Sequence, residues 1–189
     1  MLHAGLEAAA PFGTAALAAM GICTKINMVP MYVAMGFSQG VMPFISYNYS
    51  SGDHKRMRGA LSFSIKIVEV MLVLSAAAMF FFAGPLVRAF IGDQETVAYG
   101  ARFLRGFCLA QPFLALDFLC VGVFQAVGMG REALVLAILR KAVFEIPLLY
   151  LLNRFFPLYG LPYAQAVTEC VMAAIAVGLV VRFLRRLKK

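Results

Sequence analysis

Apolar residues run along this chain in long blocks, and the polar, glycine and proline positions between them mark out five blocks: 14–48, 57–83, 106–128, 132–156 and 162–184. A hydrocarbon core about 30 Å thick needs roughly 20 such residues of helix, so the pattern predicts five membrane-spanning helices. The first block would be roughly 52 Å long as unbroken helix, so Pro30 and Pro43 are expected to kink it, or its first turns to lie outside the membrane. Gly36 and Gly40 within it form a GxxxG, a spacing that allows two helix backbones to approach closely. Ser50-Ser51-Gly52-Asp53 reads as a turn whose Asp53 caps the second helix, and Gly84-Pro85 as its end. Residues 85–105 are less apolar, and there Asp93 is expected to cap a short amphipathic segment carrying Arg102 and Arg105 at the membrane interface. Gly128-Met129-Gly130-Arg131 is a tight turn into the fourth block. After Phe156-Pro157-Leu158-Tyr159-Gly160 the fifth starts near Pro162, a residue suited to the first helical turn.

Composition confirms the class that the pattern suggests. Hydrophobic side chains make up 62% of the 189 residues and charged ones 14%, with a mean hydropathy of +0.85. A soluble domain carries about 25% charged residues. The charge-free runs Ile26–Gly52 and Val70–Val87 cover 27 and 18 residues, which excludes a soluble enzyme, a nucleic-acid-binding module or a disordered tail. The net charge of +8 lies in short basic clusters between apolar runs, as topology signals do, so no nucleic-acid partner is expected. Cys23, Cys108, Cys120 and Cys170 lie far apart among apolar neighbours and read as buried thiols, with no metal site. With only His3 and His54, no phosphate loop and no nucleophile elbow, the chain is not expected to be an enzyme. Residues 1–10 do not read as a signal peptide.

Orientation follows from the basic residues, because loops rich in Lys and Arg stay in the cytoplasm. Lys55, Arg56, Arg58, Arg131, Arg182, Arg185, Arg186, Lys188 and Lys189 fall on one side, against Arg88, Arg102, Arg105 and Arg154 on the other. That places the 50–58 loop and the C-terminus inside, with Arg140 and Lys141 snorkelling toward the same side. Five spans would then leave Met1 outside, so at least one further span is expected upstream.

Polar groups inside spans are the candidate functional residues, because a charge in lipid must face a bundle interior or a watery cavity. Asp117 stands halfway along the third span. Desolvation and a bound cation act on its charge in opposite senses, the competition that lets a carboxylate exchange one bound cation for another. Gln125, two turns on, projects from nearly the same face, and with Gln39 and Glu169 it is a candidate for a cavity. Glu169 has no basic residue within a turn, so it needs a partner on another helix or water. Lys66 with Glu69, and Lys141 with Glu145, are expected to be structural pairs along single helices. The 11 Met and 17 Phe residues suit varied apolar cations, although packing and lipid contact account for most of them.

Met35-Gly36-Phe37-Ser38-Gln39-Gly40-Val41-Met42-Pro43-Phe44-Ile45-Ser46-Tyr47-Asn48-Tyr49 resembles the eighth helix of the multidrug and toxic compound extrusion (MATE) family, in its bacterial subgroup. Val123-Phe124-Gln125-Ala126-Val127-Gly128 resembles the end of the tenth helix there, and Arg140 through Ile146-Pro147-Leu148 the eleventh. Ser50-Ser51 stands where that family usually has Gly-Ala. The resemblance implies an all-α membrane bundle equivalent to helices 8–12 of a twelve-helix, two-lobe transporter, residues 1–189 forming one partial C-terminal lobe. It further implies part of an H⁺- or Na⁺-coupled antiporter of the bacterial inner membrane that exports cationic amphipathic drugs, without catalytic residues or a cofactor. Its partners would be membrane lipid, the drugs and the missing N-terminal lobe. A lipid-linked or polysaccharide flippase of the same superfamily is the alternative, and would carry more basic residues inside its spans. An independent oligomeric membrane protein is another.

Overall fold

The computed structural model describes residues 13–155 and 160–187, and all regular structure among them is helical. Helix α1 covers Thr14–Ser50, α2 His54–Phe81, α3 Ala83–Arg88, α4 Gln94–Cys108 and α5 Gln111–Ala126. Helix α6 covers Gly130–Ile138, a π-helical segment Leu139–Glu145, α7 Ile146–Phe155 and α8 Gly160–Arg186. The expected loop 156–159, with Tyr159, lies outside the described residues, as do Met1, His3, Lys188 and Lys189.

Local chemistry sets most of these ends. Asp53 accepts a hydrogen bond from the Arg56 amide (2.9 Å) and so caps α2, after Gly52 has turned the chain at a φ of 77°. At the far end, Pro85 has no N–H to continue the α2 ladder, so α2 stops at Phe81 and the chain restarts as α3 with the proline in its first turn. Asp93 caps α4 as expected. Pro112 then interrupts the next ladder, and α4 and α5 meet across Leu109-Ala110 at an angle of 46°. The amphipathic segment and the third block are therefore two arms of one bent unit. Helix α1, by contrast, stays helical through Pro30 and Pro43 over 37 residues, roughly 55 Å.

Among the described residues, three helices are long and apolar enough to cross a membrane: Thr14–Ser50, His54–Phe81 and Pro162–Arg186. Counting the bent α4–α5 unit as one span makes four, not the five expected from the sequence. The missing one is the block 132–156, which is divided into pieces of 9, 7 and 10 residues. Pro147 supplies a physical reason. It cannot donate to the carbonyl of Val143 and its ring crowds that carbonyl, and the wider π turn just before it relieves the clash. The Ile146 amide accordingly bonds back five residues, to the Lys141 carbonyl.

Helix α5 is the centre of the bundle, packed against α1, α2, α6 and α8. Close approach occurs at glycines other than the expected GxxxG. Gly36 and Gly40 are exposed, and a Cβ on either would meet nothing. A Cβ on Gly122 would instead lie 2.4 Å from Ser38 Oγ, and one on Gly106 2.6 Å from Pro162 Cβ. Glycines of α5 and α4, not the GxxxG of α1, are where helices touch. Cys23, Cys108 and Cys120 are buried as expected, whereas Cys170 is exposed on α8.

Candidate functional site

Three charged side chains meet in the interior where α5, the π segment and α8 come together. Arg140 donates to Asp117 Oδ2 (2.9 Å) and to Glu169 Oε1 (2.6 Å), and its guanidinium carbon stands 5.0 Å from the Phe118 ring centroid. Asp117 and Glu169 are each 1% exposed, and the Arg140 side chain 12%. Charges taken this far from water persist only when paired, because desolvation costs several kcal/mol per ion. The arginine fork meets that need by reaching two carboxylates with separate nitrogens.

The charge within the cluster is unequal: two carboxylates face one guanidinium. Asp117 Oδ1 and Glu169 Oε2 are enclosed and have no hydrogen-bond partner, nor has the donor Arg140 Nε, and on α8 the same holds for Gln165 Oε1 and Thr168 Oγ1. The site is thus one positive charge short when both acids are ionised, and acceptor atoms are in excess. Chemically, such an arrangement offers negative charge and open acceptors to a proton or a small cation.

Sequence reasoning singled out Asp117 and Glu169 and required for the latter a partner on another helix or water. Arg140 is that partner. The expectation that Arg140 would snorkel toward the cytoplasm is corrected: it turns inward, because two buried carboxylates hold it there. A guanidinium inside one block, with carboxylates in two others, was the available signal. The π turn concealed it, since an α-helical register does not predict which side of the block Arg140 faces.

Lys141 does pair with Glu145, at 3.0 and 2.7 Å; the carboxylate is buried and the lysine exposed. Lys66 and Glu69 do not pair. The spacing permits a pair, but the side chains part, one to the surface and one inward. Lys66 is exposed, while Glu69 is half-buried with its Oε2 enclosed and without a hydrogen bond. Gln125 is exposed at the end of α5 rather than beside Asp117, because eight residues overshoot two turns by about 80°. Gln39 is exposed on α1. A buried amide pair also escaped notice: Gln111 donates to Asn27 Oδ1 (3.5 Å) and to Met79 Sδ (3.1 Å) beside the α4–α5 bend. Among the described residues, no group of three or more His, Cys, Asp or Glu side chains is disposed to hold a metal ion.

The family model MatE matches residues 8–151. Multidrug export protein MepA of Staphylococcus aureus (strain MSSA476) is 31% identical over 176 residues, 93% of this chain and 38% of that protein. The MepA of Staphylococcus saprophyticus is equally similar, at 31% over the same shares. In fold, the chain is similar to the Vibrio cholerae MATE transporter VcmN in its bent form, with a TM-score of 0.87 and 23% identity over 96% of this chain and 41% of that one. It is similar too to a MOP superfamily transporter from Pyrococcus furiosus, with a TM-score of 0.90 and 18% identity over 100% and 42%. The chain spans about two fifths of the length of the relatives it matches.

Proposed function

The chain belongs to the MATE family, and on that premise we propose that it forms the C-terminal lobe of a cation-coupled multidrug antiporter of the bacterial inner membrane. Its helices then correspond to helices 8–12, residues 1–189 are one partial lobe, and the broken block 132–156 counts as a fifth span despite its π segment. The 50–58 loop and the C-terminus face the cytoplasm. A second, N-terminal lobe completes the cavity, because alternating access requires one bundle to rock against another.

The observation that carries the reading is the unequal charge of the Asp117–Arg140–Glu169 cluster, in a chain 31% identical to a multidrug export protein. A site one positive charge short binds H⁺ or Na⁺ when it is free. It releases that ion when an arriving cationic substrate supplies the charge, and such differential affinity is all that coupling requires. Arg140 keeps the two acids from being so costly that the lobe cannot fold. Gln39 and Gln125, exposed here, face the cavity between the lobes.

The test is transport in liposomes, with the chain joined to a complementing N-terminal lobe and a cationic dye followed under a pH or Na⁺ gradient. The chain alone should give no uptake. With the second lobe, D117N should keep normal abundance but lose most ion-driven transport per molecule, and D117E should retain part of it. Normal transport by D117N sinks the coupling role of Asp117.

A further inference from the structure

The last turns of α8 hold three arginines that the cluster above does not use. Arg182, Arg185 and Arg186 are spaced three and four residues apart, which puts them on one face, and all three are exposed. Among the described residues none of the three forms an ion pair. Two clefts open beside them. One, of about 290 Å³, runs between α8 and the α5–α6 turn, with Phe124, Leu179 and Phe183 on its apolar floor. The other, of about 490 Å³, follows α8 past Gly178 and Val181 and is lined otherwise by Arg182, Arg185 and Arg186. Arg182 and Arg186 line both.

We propose that this end of the bundle binds an anionic phospholipid, with its phosphate among the guanidiniums of the second cleft and an acyl chain along the apolar floor of the first. The arginine fork matches phosphate oxygens bidentately, and Phe124, Leu179 and Phe183 beside the shared Arg182 and Arg186 match a chain on that headgroup. Glu132 also lines the first cleft and repels phosphate there, so three arginines against one carboxylate leave the rim positive and favour the Arg182–Arg186 edge. Arg58 donates to the Leu184 carbonyl and so ties the start of α2 to this turn of α8, which holds the arginines at a fixed height. At Gly178 the second cleft has open space, since a Cβ there would meet nothing within 4 Å. The site requires that the chain lie in a bilayer and is independent of drug transport, so failure of the transport experiment leaves it standing.

The experiment is native mass spectrometry of the purified chain in detergent, offered phosphatidylglycerol and phosphatidylcholine with identical acyl chains. The intact chain should retain phosphatidylglycerol preferentially. R182Q/R186Q should reduce that retention on the order of 25-fold, to the phosphatidylcholine level, at roughly five-fold per guanidinium. R131Q removes an arginine outside both clefts and should change nothing. G178L builds into the second cleft from a position where a Cβ meets nothing within 4 Å, so it should keep the melting curve of the intact chain and still lose retention. Equal retention of the two lipids by the intact chain, or undiminished preference in R182Q/R186Q, overturns the proposal. Displacement of the lipid by excess inorganic phosphate overturns it as well, by reducing the site to an anion seat.

Discussion

Two faces of this bundle treat charge in opposite ways. Along α1 and α2 the outward side chains include Tyr32, Phe44, Phe63, Leu74 and Phe81, all exposed, and among the described residues no ion pair joins the two helices. Where α5, the π segment and α8 meet, two carboxylates and a guanidinium are enclosed together. The first face can be satisfied by lipid tails and is insensitive to which apolar residue stands where. The second is held by two particular contacts, so nearly every change there carries a cost. Apolar surface is generic; buried charge is specific.

Breaking the cluster should give the largest effect. R140M leaves two ionised acids buried without a partner, a loss of about 3–5 kcal/mol. The measurement is the melting temperature and the yield of chain extracted from membranes. Adding D117N and E169Q to R140M removes the orphaned charges and should restore most of the stability. If R140M melts like the unaltered chain, the cluster does not hold these helices together, and the contrast between the two faces disappears.

The same contrast explains how much the sequence revealed. Helix ends at Gly52-Asp53, Asp93 and Gly128 were legible because capping and turn chemistry are local. The apolar blocks were legible because lipid demands them. Asp117 and Glu169 stood out as acids in apolar surroundings, but their joining through Arg140 spans 23 and 29 residues, and no periodicity reports such a contact. Pro147 was visible, but its consequence, a π turn dividing the block 132–156, was not, because a proline in a span can also kink or end it. The GxxxG of α1 misled for a related reason: the motif permits close approach, yet a partner has to be there. On α5, Gly122 has one.

Gly122 gives the next effect in size. In G122A the new methyl would stand 2.4 Å from Ser38 Oγ, forcing that hydroxyl off the Phe118 carbonyl it now bonds at 2.9 Å. Overpacking of this kind costs about 1–3 kcal/mol. G36A and G40A, on the open side of α1, should cost nothing in the same melting assay. A larger loss from G40A than from G122A would reverse the assignment of which helix face is packed.

Smaller again is the pair Lys141–Glu145. Its lysine is 55% exposed and brings water to one side of the 9%-exposed Glu145 carboxylate, so K141M should cost about 1 kcal/mol, less than R140M, even though the distance of 2.7 Å rivals that of the buried cluster. Its removal next to R140M, measured in a double-variant cycle, sharpens the comparison: contacts of equal length should differ several-fold in effect because only one set is sheltered on both sides. Equal losses would show that burial is not what distinguishes the two faces.

The smallest effect belongs to Asp93, an exposed acid outside the apolar blocks. Its Oδ2 accepts from both the amide (2.8 Å) and the hydroxyl (2.6 Å) of Thr96, and these bonds hold its carboxyl below the ordinary aspartate value of 3.8. A lowered value means that the carboxylate form is the one α4 favours. Its contribution is therefore complete at pH values above 3.8 and is lost as pH falls through the lowered value. Hydrogen exchange at the Thr96 amide reads this directly. Protection should be flat from neutral pH down to about 5 and decline below about 4, whereas D93N, which caps without titrating, should show no such decline. Because the change is confined to one helix end, amides of α5 around Asp117 should be unaffected over the same interval in which Thr96 loosens. Loss of protection at both places together would mean that acid acts through the buried cluster instead, and that the two regions are not separable.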